Sequence, residues 1–152
     1  INQMKIRRMT PADHDPCIAM MKDFYHSPAV SHALPVAVHE RAFQAAVEGE
    51  PMMEGLVLEE DGQIAGYAMI SFTYSCEVGG RVALLEELYF KEEFRGRGLG
   101  HQYFQWVFDT YGEMARLRLE VTAANPRAQA LYQRLGFEVL DYVQMVKDKP
   151  LD

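Results

Sequence analysis

At 152 residues, with 49% hydrophobic and 24% charged side chains, the chain reads as one globular domain with bulk enough for a real core. A formal net charge of −7 excludes a nucleic-acid binder working through a basic face. No apolar run approaches membrane-spanning length, and Cys17 and Cys76 form neither a disulfide framework nor a metal-ligand spacing. The expected setting is therefore the cytoplasm, with no signal peptide ahead of Met4, no metal and no membrane partner. Ile1-Asn2-Gln3 read as an extraneous remnant before a single domain at 4–152.

Lys5–Met9 is a short strand closed by Thr10-Pro11, a capping residue followed by a residue suited to a first helical position. Ile18, Met20, Met21, Phe24 and Tyr25 then share a helical face, which breaks at His26-Ser27-Pro28. A second helix opens at Pro35 and ends at Gly49-Glu50-Pro51. The pattern switches to β at Leu56–Glu60, turns at Asp61-Gly62, and returns as a long strand from Ile64 to Tyr74. Gly79-Gly80 turns again into Val82–Phe90, so three consecutive antiparallel strands are expected.

Phe90 is followed by a charged link, then by Arg95-Gly96-Arg97-Gly98-Leu99-Gly100 and a long amphipathic run. Strand, glycine-rich turn and helix in this order make an anion site, because helix-start N–H groups are unpaired and glycines let a ligand approach them. A P-loop is absent, since His101 and Gln102 follow Gly100, and the alternate glycine spacing is not the dinucleotide fingerprint. A glycine-rich turn without a ligand is the bland alternative. The helix that follows carries Leu99, Phe104, Val107, Phe108 and Tyr111 on one face and ends at Gly112. Arg116–Val121 alternates as a strand, parallel to the previous one through a right-handed crossover. Asn125-Pro126 opens a last helix closed by Gly136, and Phe137–Lys147 supplies one or two final strands.

The hexapeptide from Arg95 matches Arg/Gln-x-x-Gly-x-Gly/Ala, and Asn125 to Phe137 matches Asn-x-x-Ala-x-x-Leu-Tyr-x-x-x-Gly-Phe. Both motifs, in this order and separated by one strand, resemble those of the GNAT acetyltransferase superfamily over essentially Met4–Lys147. The resemblance implies an α/β (α+β) fold with a mixed, mostly antiparallel sheet of six to seven strands. That sheet is splayed between its fourth and fifth strands and flanked by about four helices. It implies acetyl-CoA in the gap, with pantetheine along Leu88, Tyr89 and Phe90 in the manner of an added strand. Its pyrophosphate would lie over Arg95, Gly96, Arg97, Gly98, Leu99 and Gly100, with Asn125, Ala128 and Tyr132 completing the cofactor site.

Acetyl transfer to an amine needs a base, because an alkylammonium has a pKa of about 10. It also needs a donor for the oxyanion and a proton for the leaving thiolate. The resemblance assigns Tyr132 as acid, a backbone N–H near Phe90 as oxyanion donor, and Glu86, directly or through water, as base. Glu86 and Glu87 are adjacent, so they point to opposite faces of the strand, Glu86 with Leu84 and Leu88. Phe24, Tyr25, His26, Tyr74, Glu77 and Glu87 are candidate walls for the acceptor, and the carboxylates favour a small cationic amine. The identity of that amine is not legible. A non-catalytic acyl-CoA sensor is the alternative function, and a homodimer through the terminal strands is an expectation of the family resemblance.

Overall fold

The computed structural model describes residues 3–151, so Ile1, Asn2 and Asp152 lie outside the described residues. The elements are β1 (Lys5–Arg8), α1 (His14–Phe24), α2 (Val36–Glu48), β2 (Met53–Glu60), β3 (Gln63–Ser75), β4 (Gly80–Phe90), α3 (Leu99–Thr110), β5 (Arg116–Leu119) and α4 (Pro126–Arg134). Short 3-10 turns at Pro11–Asp13 and Glu92–Phe94 lead towards α1 and α3. One sheet runs β1-β2-β3-β4-β5, antiparallel throughout except for the parallel β4–β5 pair.

The Asp61-Gly62 hairpin forms as its sequence demands, with φ of 53° and 75° at the two turn residues. Period-two alternation then sorts the strands into two cores. Leu56, Leu58, Ala68, Ile70, Ala83 and Leu85 pack with Tyr103, Phe104 and Val107 of α3. Val57, Tyr67 and Met69, on the other face, pack with Met20, Met21 and Phe24 of α1 and Phe43 of α2. Each fully buried Leu, Val or Phe contributes about 1.5–3 kcal/mol relative to exposure.

Two expectations are corrected. The β5 ladder stops at Leu119 rather than Val121, and residues 135–151 contain no helix or strand, so the described sheet has five strands rather than six to seven. The terminal segment follows β5 but meets it through side chains: Gln144 accepts from Arg118 at 2.7 Å and donates to Glu120 at 2.7 Å. The expected splay is present. The β4–β5 register ends at Leu85↔Leu119, while β4 continues to Phe90.

The entrance to α1 is fastened by charge. Arg7 on β1 donates twice to Asp13, at 2.8 and 2.9 Å, and also to Glu59 on β2. The Thr10 N–H and hydroxyl donate to the same Asp13 carboxylate, at 2.8 and 3.0 Å. Thr10 thus bonds Asp13 through its hydroxyl, while Pro11 opens the turn as expected. The Arg7 guanidinium, aided by Thr10, holds the Asp13 carboxyl at about 2 although the residue is only 5% exposed. A depressed carboxyl contributes stability above its ordinary value of about 4 and loses it as pH falls through the folded-state value. Asp13→Asn should therefore cost about 2 kcal/mol at pH 7. Urea melts should show the gap to wild type closing between about pH 4 and pH 2, and a pH-independent gap would contradict this.

Candidate active site

The β4 tail leads directly into the glycine loop. Gly96 and Gly98 have φ of 76° and 78°, a left-handed conformation that side chains resist, and Gly98 is the N-cap of α3. A Cβ built at Gly96, Gly98 or Gly100 meets nothing within 4 Å, so the main chain there faces open space. A cavity of about 240 Å³ joins this loop to Phe90 on one side and to Phe104, Leu131 and Leu135 on the other. The two sequence motifs thus converge on one cleft at the start of α3.

Both loop arginines are engaged by the protein. Arg95 donates from Nε to the Phe90 carbonyl at 2.8 Å and lies over the Tyr89 ring, 5.4 Å from its centre. Arg97 bonds Glu60 at 3.2 Å and covers the Phe94 ring at 5.1 Å. Their charge sits beside the open amides, and their first visible task is to brace the loop. Asn125 caps α4, accepting from the Ala128 N–H at 3.3 Å.

Tyr132 stands on α4 with its ring against Phe104 at 5.7 Å and Phe137 at 6.3 Å. Among the described residues its hydroxyl has no hydrogen-bond partner, and burial raises its pKa. It therefore keeps its proton at neutral pH, as a proton donor must. Tyr132 also lines a larger cavity of about 920 Å³ between β5 and the terminal segment.

The two adjacent glutamates are separated by a bulge, not by simple alternation. Met69 pairs with Glu87 and Ile70 with Leu85, which leaves Glu86 as the extra residue. Leu85 and Glu87 consequently face opposite sides of the sheet. Leu84 and Leu88 also fall on opposite faces, so the expected grouping of Glu86 with both is corrected. Glu86 is exposed at the bulge. Glu87 turns towards α1, where the Tyr25 hydroxyl donates to it at 2.6 Å and the Tyr67 hydroxyl at 2.7 Å. Burial raises the Glu87 pKa against the opposing effect of these two donors, and the Glu86 charge adds to the rise.

Of the acceptor candidates, Tyr25 and Glu87 are in contact, with Phe24 packed on Tyr25 and Tyr67. His26 bonds the Lys22 carbonyl at 2.7 Å, a local contact at the end of α1. Tyr74 is 65% exposed. Glu77 lies at the other end of β4, salt-bridged to Arg116 at 2.8 Å and accepting from the Tyr142 hydroxyl. The candidates therefore divide into two groups. Sequence reasoning missed Tyr67, wholly buried under Glu87, and His39, only 3% exposed with its ring tilted against Tyr25 at 5.2 Å. The alternation of β3 identifies Tyr67 as inward-facing, but its glutamate partner depends on the unpredicted bulge.

A family model described as the acetyltransferase (GNAT) family matches residues 18–137. The chain belongs to the GNAT acetyltransferase family. Among curated relatives, a thialysine N-epsilon-acetyltransferase of Bos taurus is 33% identical over 116 residues, covering 69% of this chain and 68% of that protein. A putative ribosomal protein bS18-alanine N-acetyltransferase of Bacillus subtilis is 33% identical over 90 residues, covering 58% of this chain and 56% of the relative. In fold, a possible acetyltransferase from Clostridium difficile 630 superposes with TM-score 0.80 at 18% identity, covering 99% of both chains. An aminoglycoside N-acetyltransferase solved with CoA superposes at 0.74 and 19% identity, over 99% of this chain and 97% of the other. The protein is thus an acyltransferase of this family, with acetyl-CoA as its cofactor. The open glycine cradle and the unpaired side of the β4 tail fit that group.

The raised carboxyl gives a direct test of the buried cluster. A glutamate raised above about 4.3 contributes its full stability below that value and loses it as pH rises towards the folded-state value. Relative to Glu87→Gln, wild type should lose about 1.4 kcal/mol per pH unit within that window, measured by urea melts. A difference flat with pH would contradict the burial of an ionisable Glu87.

Proposed function

We propose that this GNAT protein acetylates the primary amine of a small cationic acceptor, with Glu86 as base and Tyr132 as acid. The observation that carries the reading is the end of the β4–β5 ladder at Leu85, with β4 running on into an open glycine cradle beside α4. Leu88, Tyr89 and Phe90 would flank the pantetheine arm, and the amides at Arg95–Gly100 would hold the pyrophosphate, assisted by the two arginines. When bound, acetyl-CoA supplies an activated acetyl thioester.

The chain's own residues do the rest. Glu86, exposed at the bulge, accepts the ammonium proton directly or through a water. Tyr132, kept protonated by burial, holds a proton for the departing thiolate. Glu87 and Tyr25 attract and orient the cationic end of the acceptor; Tyr74 and Glu77 belong to a more distant wall, and His26 flanks the α1 end. Support for a cationic amine comes from these carboxylates and from the bovine relative, whose name specifies a thialysine side-chain amine. Such a protein works on a small molecule, as a homodimer, in the cytoplasm, without nucleic-acid or membrane partners. The described residues contain no helix long and apolar enough to cross a membrane. A CoA sensor without turnover is the second reading, favoured only by the engagement of Arg95 and Arg97 within the protein.

Thiol release from acetyl-CoA across a panel of diamines, amino acids, aminoglycosides and peptide N-termini tests the reading, and small diamines or lysine-like amines should turn over fastest. Tyr132→Phe should lower kcat by about a hundredfold or more with the thermal shift by CoA retained. Glu87→Gln should chiefly raise KM for the amine. Thiol release at background for every acceptor, with CoA still protecting the fold, would select the sensor.

A further inference from the structure

Among the described residues, Glu87 is a carboxyl group without a cation. The groups that act on its charge are the Tyr25 and Tyr67 hydroxyls and the neighbouring Glu86 carboxylate. Tyr25 donates to one oxygen at 2.6 Å and Tyr67 to the other at 2.7 Å, so each oxygen carries one hydroxyl donor. Burial works against the charge, and an ionised group taken out of water calls for a partner of opposite sign. Elsewhere that demand is met: Asp13, Glu54, Glu59, Glu60 and Glu77 each meet an arginine. Glu87 is half-buried rather than sealed, which leaves a ligand a way to it.

Tyr67 is the member of this set that packing alone does not explain. It lies within β3, opposite Val57 on one side and Tyr89 on the other, and is wholly buried. Contact with Phe24 and Tyr89, at 6.4 and 6.2 Å between ring centres, needs only a ring. A buried hydroxyl needs a partner as well. The bulge supplies it: Glu87 stands opposite Met69, two residues along β3 from Tyr67, so carboxylate and hydroxyl share a face as diagonal neighbours. Burial and the Glu87 charge push both phenols well above the ordinary tyrosine range, so Tyr25 and Tyr67 stay protonated as donors.

On the amine-acetylating reading proposed above, we infer that Tyr67 is a positioning residue for the acceptor: with Tyr25 it fixes both oxygens of Glu87, and the acceptor's ammonium supplies the cation this carboxylate lacks. Amine binding and Glu87 ionisation are then one linked equilibrium. Where the carboxyl is protonated in the free protein, an arriving ammonium keeps its own proton and displaces the Glu87 proton to solvent. Affinity therefore climbs as pH rises through the Glu87 midpoint, until the amine itself deprotonates at about 10. Without the Tyr67 hydroxyl, burial meets less opposition, the midpoint moves up, and the amine is held only at higher pH. The other titratable groups around the cluster bring it no positive charge. On α1, burial pushes the Cys17 thiol up to about 12; on α2, burial lowers His39 and favours its neutral form; on β4, burial raises the Tyr89 phenol. Lys22 and His26 act on His39 and not on Glu87.

Carbon-13 NMR of the Glu87 carboxyl in the full chain tests this without turnover. The free group should titrate above an ordinary glutamate, and 1,5-diaminopentane should lower its midpoint saturably. Tyr67→Phe should raise the midpoint. In thiol release with the same diamine, this variant should raise the amine KM about tenfold at the acid end of the profile and converge on wild type in alkali. KM for acetyl-CoA should stay in place. A loss of activity equal at every pH would mark a role in packing alone and overturn the assignment. Should Tyr67→Phe fold poorly, Tyr25→Phe removes the other donor and should move the midpoint the same way. A midpoint that loss of a donor does not raise, or that the diamine leaves where it was, also overturns it. Thiol release beside an unmoved Glu87 would do so while leaving acetyl transfer standing. A diamine-shifted Glu87 without thiol release would keep the cation site and remove the acetyl acceptor.

Discussion

The last four residues of β4, Glu87–Phe90, are paired to β3 on one side and, among the described residues, to no strand on the other. Backbone N–H and C=O groups demand partners, and in a sheet interior another strand would supply them. Here β5 ends at Leu119, and the proposed reading lays an extended ligand along the vacated edge as a strand would lie. In the same proposal the glycine loop gives that ligand an end point, because the amides of the α3 start follow the tail. The rest of the molecule holds this geometry. Two apolar cores clamp the sheet from both faces, and the Arg7 cluster fastens the first helix to its far edge.

A one-residue irregularity gives the strand its two different carboxylates. Without the bulge at Glu86, Glu87 would share the face of Leu85 and point into the core under α3. With it, Glu87 meets Tyr25 and Tyr67 beneath α1, and Glu86 stays in contact with solvent. Adjacent residues of the same type thus acquire different environments, one dry and tethered, one exposed. Burial disfavours the charged form of the dry group, and its two hydroxyl donors partly offset that cost.

Much of this was legible in the chain. Asp61-Gly62, Gly49 and Asn125-Pro126 are local signals, and each marks the boundary it was expected to mark. The two motifs led to the same cleft because their residues act through backbone geometry that the sequence dictates nearby. The bulge was not legible, since nothing in Leu84–Leu88 says which partner residue is skipped. The terminal segment departs from its strand expectation for a different reason. Val139–Val146 has the composition of a strand, but a strand forms only where an edge is within reach, and reach is a property of the whole sheet. Tyr67 lay in a run correctly read as β, while its role depended on contacts with residues far away in sequence.

The most direct measurement is an amide NMR titration of the protein with CoA. Occupation of the splay predicts saturable shifts at Leu88, Phe90 and Gly96–Gly100, with loss of solvent exchange at the β4 tail and little change in β1 or β2. Shifts confined to other surfaces, or none at millimolar CoA, would contradict the account.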